Sequence, residues 1–155
     1  SRQKGVVMIH CKSVIEEKVT DELIAAREKR WKKTLPHAFQ VFLKENNGGI
    51  PAEKTEVGQW VIERFLCMVS NLSESAEGYW YRDAVLTKYD EFMVFDEDSV
   101  GYDLIPFAQL NHDSLLCLCY ETEEPSVVVW QLEGSQEFRP KYTKCYDSFS
   151  AFLAT

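Results

Sequence analysis

The sequence has no long apolar run and no segment that resembles an export signal. Its 155 residues contain nothing close to the ~18 consecutive apolar residues of a membrane-spanning helix. The apolar stretch 6–9 is followed at once by His10 and Lys12, whereas a signal peptide needs a longer apolar region. We therefore expect a cytoplasmic protein with no membrane partner, and we interpret residues 1–12 as an arm or a non-native remnant.

Neither the glycines nor the cysteines of the chain form a recognisable functional motif. The seven glycines include no glycine-rich loop that opens a helix, which argues against a phosphate-binding loop. Five cysteines, an odd number, indicate reduced thiols in a chain without an export signal. Cys117 and Cys119 would share one strand face, but a zinc site needs about four ligands. We interpret the pair as buried apolar residues and expect no metal and no cofactor.

Negative charge is concentrated in the later part of the chain. Residues 1–44 hold ten Lys and Arg against five Asp and Glu, a net charge of +5. Residues 45–155 hold seven against twenty, a net charge of −13, and the two parts sum to −8. An acidic body repels phosphates, so we do not expect a nucleic-acid partner. It suits either a basic protein partner or a plain solubilising surface.

One acidic segment partly resembles a calcium loop. Asp96, Asp98 and Gly101 match the first, third and sixth positions of such a loop. Phe107, however, stands where a bidentate glutamate should close the coordination shell. We therefore interpret the segment as an exposed acidic loop.

A second segment contains the residue types of a catalytic triad. In His112-Asp113-Ser114 the three types are adjacent in sequence. A working triad needs side chains that converge from separate elements, beside an oxyanion donor. We interpret this tripeptide as a turn between two strands, and we expect no enzyme activity.

Hydrophobic periodicity predicts helices first, then strands, then one closing helix. A capping-box pattern predicts a helical turn near Ser13. The predicted helices cover residues 21–31, 36–46 and 79–91, with a short last helix capped by Asp147 or Ser148. The predicted strands cover residues 60–68, 93–95, 104–110, 114–120, 127–132 and 141–146. This order predicts a single α+β domain with an N-terminal helical hairpin, an antiparallel sheet of about four to six strands, and a short C-terminal helix.

Residues 35–49 predict a complete helix with its beginning, buried face and end. Pro36 suits the first helical position, where its missing N–H has no partner to lose. Asn47 and the two glycines after it end the helix, because glycine adopts the left-handed conformation without a steric penalty. Three apolar residues share the buried face: Phe39, Phe42 and Leu43.

This helix and four later stretches resemble the SUKH superfamily, and more specifically its branch related to the fungal cell-wall glucan-synthesis regulator. The later stretches are residues 104–108, 114–118, 127–130 and 147–153, and the likeness covers about residues 19–153. The residues that carry it, which the resemblance implies are structural, are Leu35, Pro36, Phe39, Phe42, Leu43, Asn47, Gly48, Gly49, Ile105, Pro106, Trp130, Ser148, Phe149, Phe152 and Leu153. One departure is that a glycine-rich connection of the family appears here as residues 109–113, without glycine.

The resemblance implies a function that needs no catalytic residues. Bacterial members of the superfamily are largely immunity proteins, which bind a cognate toxin, often a nuclease, and neutralise it. A basic toxin would suit the negative charge of this chain. Two alternatives remain open: a regulatory adaptor in cell-wall synthesis or signalling, and a domain that binds a small ligand in a cleft between the helices and the sheet. The sequence does not indicate an oligomeric state.

Aromatic and acidic residues in the middle of the chain are the predicted partner contacts. Tyr79-Trp80-Tyr81 cannot all face one core from a helix, because neighbours lie about 100° apart. Exposed Tyr and Trp beside acidic groups are typical of protein-binding anchors, although all three could also be buried. The predicted contact residues are Glu74, Glu77, Tyr79, Trp80, Asp96, Glu97, Asp98 and Asp103.

Overall fold

The computed structural model describes residues 9–14, 18–68, 104–136 and 139–154. These ranges contain two helices, then the strands of an antiparallel sheet, then a closing helix, with one short strand before the first helix, so the α+β class is confirmed. The helices are α1 (Asp21–Trp31), α2 (His37–Asn46) and α3 (Phe149–Leu153). The strands are β1 (Cys11–Ser13), β2 (Ile50–Pro51), β3 (Glu56–Val57), β4 (Trp60–Phe65), β5 (Leu104–Leu110), β6 (Ser114–Cys119), β7 (Ser126–Gln136) and β8 (Arg139–Tyr146).

The main sheet is antiparallel and has a simple topology. Its six strands lie in the order β3-β4-β5-β6-β7-β8, so each pairs with its neighbour in the described chain. β1 and β2 form a separate two-stranded sheet. Every residue of β6 is buried, which explains why this central strand is a nearly continuous apolar run instead of an alternating one. The predicted number of strands in the sheet is therefore confirmed at its upper limit.

A cluster of phenylalanines joins α2 and α3 to the sheet. The rings of Phe39 on α2, Phe107 on β5 and Phe149 on α3 meet edge to face, with centroids 5.1–5.7 Å apart. Such aromatic pairs contribute about 0.5–1.5 kcal/mol each beyond the burial of their area. The apolar face predicted for α2 is confirmed, because Phe42 and Leu43 are buried as well.

α1 begins where the sequence predicts. The Thr20 hydroxyl accepts a hydrogen bond of 3.1 Å from the Leu23 N–H, which satisfies one of the unpaired donors at the helix N-terminus. Asp21 and Glu22 lie in the first turn, and Lys29 and Arg30 in the last. Both placements complement the helix dipole.

α2 begins one residue later than predicted. Pro36 is the N-cap and not the first helical residue, since its ψ of 145° is extended. Its carbonyl accepts the first helical hydrogen bond, 3.0 Å from the Gln40 N–H. The preference of proline for helix starts is therefore correct here, but the sequence pattern cannot separate these two neighbouring positions.

The end of α2 is tied to the segment after β4 by the side chain of Asn47. Its amide nitrogen donates to the Met68 carbonyl at 3.1 Å, and its amide oxygen accepts from the Met68 N–H at 2.8 Å. Asn47 is 3% exposed, so both bonds are shielded from water. Gly48, with φ of 64°, then turns the chain in the left-handed region, as predicted for a residue after a helix end.

The two glycines continue the link between α2 and β4. The Gly48 carbonyl accepts from Nη2 of Arg64 at 2.8 Å, and the Gly49 carbonyl accepts from the Phe65 N–H at 2.7 Å. A Cβ added at Gly49 would lie 2.4 Å from the Cys11 sulfur. Gly49 is therefore required by close packing against β1, which the sequence pattern does not reveal.

Two predictions near the N-terminus have other outcomes. The helical turn predicted near Ser13 is wrong, because Ser13 lies in β1 and pairs with Ile50; strand pairing prevails over a local capping pattern. The helical hairpin is not confirmed. α1 and α2 are linked by the ion pair of Asp21 with Lys44, whereas the ring contacts of α2 reach α3 and the sheet.

The remaining motif residues lie in the strands of the main sheet or at α3. Ile105, Pro106 and Trp130 lie buried in the strands. The Ser148 hydroxyl accepts from the Ala151 N–H at 3.0 Å and caps α3, which selects Ser148 over Asp147 as the cap. Phe149 and Phe152 are buried and Leu153 is half-buried.

The turn between β5 and β6 uses left-handed backbone without glycine. His112 and Asp113 have φ values of 58° and 52°, in the region where side chains other than glycine are strained. Asn111 anchors the turn to β4, since its side chain accepts from the Val61 N–H at 3.1 Å. The prediction of a turn here is confirmed, and His112 and Asp113 adopt a positive φ although neither is glycine.

The predicted helix 79–91 and the predicted strand 93–95 lie outside the described residues. Among the residues that are described, no helix combines the length and the apolar character needed to cross a bilayer.

We predict that Asn47→Asp destabilises the protein by about 3 kcal/mol. The substitution removes the donor to the Met68 carbonyl and places a carboxylate in a buried site. Urea denaturation measures the change. Asn46→Asp is the matched control, because Asn46 is half-buried and makes one hydrogen bond of 3.3 Å; it should cost less than about 1 kcal/mol. Equal costs for the two variants would contradict the anchoring role of Asn47.

We predict that Asp113→Gly stabilises the protein by about 1 kcal/mol, because glycine relieves the strain of the left-handed conformation. The midpoint of thermal unfolding measures the change. Glu123→Gly, in an exposed turn without positive φ, should instead be neutral or destabilising. A loss of stability in Asp113→Gly would show that the aspartate makes a compensating interaction.

Candidate functional site

A groove with charged walls is the candidate site in the described part of the chain. It has a volume of about 820 Å³ and is open to solvent. Residues 32–38, which are the connection between α1 and α2 and the first two residues of α2, form one wall. Residues 120–125, which connect β6 to β7, form the other. The first residues of α3, Phe149 and Ser150, close one end.

The first wall is held in place by Glu28. The Lys33 N–H donates to the Glu28 carbonyl at 3.2 Å, and the Leu35 N–H donates to the Glu28 carboxylate at 2.8 Å. Lys32 ends α1 in the left-handed conformation, with φ of 60°. The side chain of Gln40 donates to the Leu35 carbonyl at 2.8 Å. The backbone of this wall is therefore fixed from both helices, and Lys32 and Lys33 make the wall basic.

The second wall is a turn rich in glutamate. Glu121, Glu123 and Glu124 are all exposed. The Thr122 hydroxyl donates to the Glu124 carbonyl at 2.8 Å, and the hydroxyl of Tyr142 on β8 donates to the Glu121 carboxylate. The turn is therefore ordered from within and from the neighbouring strand.

Tyr120 joins the two walls. Its hydroxyl donates to the Thr34 carbonyl at 2.8 Å, and the Lys33 ammonium lies 5.9 Å from the centre of its ring, within the range of a cation–π contact. Burial raises the pKa of Tyr120, and the negative charge of Glu28 adds to this effect. The hydroxyl therefore remains a donor at neutral pH.

The thiols predicted as buried are confirmed in that position. Cys117 and Cys119 are 0% and 2% exposed, and burial raises the pKa of both. A thiol under these conditions is neither a good nucleophile nor a good metal ligand. No group of three or more potential ligands gathers around a metal position within the described residues.

All eight predicted partner contacts lie outside the described residues. They are Glu74, Glu77, Tyr79, Trp80, Asp96, Glu97, Asp98 and Asp103. The calcium-like segment lies there as well. These residues therefore stay a prediction.

The sequence suggests a cleft between the helices and the sheet as the small-ligand alternative, but it assigns no residues to that cleft. It does not indicate that residues 32–38 and 120–125 form the walls of a groove. Tyr120 and Thr34 are 86 positions apart, so no local pattern shows that these segments face each other. The signal that the sequence does contain is the opposite charge of these two segments, since no other role is assigned to either of them.

We predict that Tyr120→Phe costs about 1 kcal/mol of stability, because the Thr34 carbonyl loses its donor. Urea denaturation checks this value. Tyr146→Phe is the control: Tyr146 packs against Phe152, and no hydrogen bond of its hydroxyl is found within the described residues, so its removal should change little. A cost for Tyr146→Phe equal to that for Tyr120→Phe would contradict the proposed link between the walls.

Comparison with known proteins identifies the family. Residues 18–155 match the model of the SMI1 / KNR4 family (SUKH-1), which covers most of the chain and includes both walls of the groove. No curated protein is significantly similar to the chain. The family match agrees with the resemblance seen in residues 19–153 and with the structural positions of the motif residues. The chain therefore belongs to the SMI1 / KNR4 family (SUKH-1).

Proposed function

We propose that the chain is an immunity protein, a non-enzymatic module that binds a cognate toxin and blocks it. Membership of the SMI1 / KNR4 family carries this proposal, since the superfamily resemblance implies that role for bacterial members. The proposal requires a stable, specific surface and no catalytic group. The ordered walls of the groove are surfaces of that kind.

The charge of the chain supports a basic partner. Residues 45–155 carry a net charge of −13. In the described part of that region, acidic side chains are exposed on several elements, among them Glu53, Glu63 and Glu124. Nucleases that grip phosphates have basic clefts, and an acidic surface raises the rate at which such a protein is captured. We therefore propose a basic toxin, with a nuclease as the best match.

We further propose that the acidic and aromatic residues between Glu74 and Asp103 contribute to the contact surface. The family match spans them, and their composition suits a protein interface.

We also propose that the matched region is one domain and that α1 and α2 pair as a hairpin. We propose that the protein acts in the cytoplasm.

The small-ligand alternative is less well supported by the groove. Pockets for small ligands are usually concave, mostly apolar, and bury most of the ligand. This groove is open, and glutamates and lysines form much of its walls. Its shape favours a protein segment over a small molecule.

The test is co-expression with the product of the adjacent gene. If the proposal is correct, that product inhibits growth when expressed alone, and this chain restores growth and forms a complex during size-exclusion chromatography. The rate of association should fall at least about tenfold between low and high salt, because exposed charges are screened. An unrelated acidic protein of equal net charge is the control and should not restore growth. If the chain neither restores growth nor forms a complex, the proposal is overturned.

A further inference from the structure

The two walls of the groove carry opposite charge. Lys32 and Lys33 are on the first wall, and three glutamates are on the second. The half-buried ring of Tyr120 contributes apolar surface to the second wall. An aromatic ring surrounded by charged groups is typical of protein interfaces, where a polar rim surrounds a less polar centre.

The charges on the two walls are not equally available to a partner. Lys33 already lies over the Tyr120 ring, and Glu121 accepts from Tyr142. Within the described residues, Glu123 and Glu124 form no ion pair, and both are exposed. The groove therefore offers two uncommitted carboxylates against one uncommitted ammonium, that of Lys32, and a positively charged occupant is favoured.

The walls are ordered before any partner arrives. In the first wall, Leu35 donates a hydrogen bond to Glu28 and accepts one from Gln40. The hydrogen bond that Thr122 donates fixes the second wall, and the Tyr120–Thr34 hydrogen bond joins the two walls. A surface that is already ordered loses little conformational entropy on binding. The backbone of the groove is thus suited to recognition without a large rearrangement.

We propose that this groove is the docking site for an extended, basic segment of the toxin, with an arginine or lysine side chain paired to Glu123 and Glu124. This inference rests on the proposed function and assigns a place on the surface to the contact. The occupant is a protein segment because the groove is open to solvent and too polar to enclose a small apolar ligand. Lys32 opposes positive charge and limits how the segment can be oriented.

The test compares two double variants that change net charge by the same amount. Glu123→Lys with Glu124→Lys, and Glu53→Lys with Glu63→Lys, each change the net charge by +4, and neither Glu53 nor Glu63 lines the groove. All four side chains are exposed, so both variants should fold, which circular dichroism and thermal unfolding verify. Calorimetric titration with the purified product of the adjacent gene measures Kd at physiological salt. We expect the groove variant to weaken binding at least about tenfold, and the control by less than about threefold.

Reversing one charge on the first wall should change the affinity in the opposite direction. Lys32→Glu should tighten binding about twofold to fivefold, because it removes like-charge repulsion. Lys18→Glu makes the same charge change beyond the other end of α1, about 16 Å away by helix length, and should have a smaller effect. If the first wall had only a structural role, Lys32→Glu would weaken binding.

Each outcome of the titration decides between the two proposals. Selective weakening by the groove variant supports the docking site. Equal binding by the two double variants, when the unmodified chain binds, overturns the docking site and leaves the immunity function in place. No binding by the unmodified chain overturns the immunity function, and the docking site falls with it.

Discussion

The arrangement of this fold depends on one buried amide. Asn47 pairs with both backbone groups of Met68, and it does so at the point where the helical part of the chain passes to the sheet. A buried hydrogen bond of this kind contributes modestly when it is made and costs more when one partner is lost. The bonds from Gly48 and Gly49 to β4 extend the same junction. Together they fix where α2 lies, and α2 carries the phenylalanines that pack against β5 and α3.

The same junction determines the position of the groove. α2 starts at His37 after the N-cap Pro36, and the connection before it carries the lysines of the basic wall. Its hydrogen bonds to Glu28 and Gln40 relate that wall to both helices. The acidic wall belongs instead to the sheet, as the connection that follows β6. The groove therefore lies where the helical part meets the sheet, and its shape depends on how firmly the two are joined.

The sequence predicts those features that arise from neighbouring residues. The bounds of α1, the buried face of α2, the whole of β5 and the position of α3 all follow from spacing within about one or two turns or a single strand. What it does not predict depends on distant partners. The side-chain amide of Asn47 is hydrogen-bonded to a residue 21 positions later. Ser13 lies in a strand because it pairs with Ile50. The groove lies between segments more than eighty positions apart. The fold class was predictable from pattern, whereas the candidate site was not.

The hydrogen bond from Tyr120 to Thr34 has a consequence for the lifetime of the protein. Because it closes a loop of 86 positions, it can form only when the helices and the central strands have already assembled. A chain that is still folding, or one that opens locally, therefore has no complete groove to present. Any occupant of the groove then binds the native state alone and stabilises it by mass action, so that an occupied chain resists proteolysis while an empty one remains open to turnover.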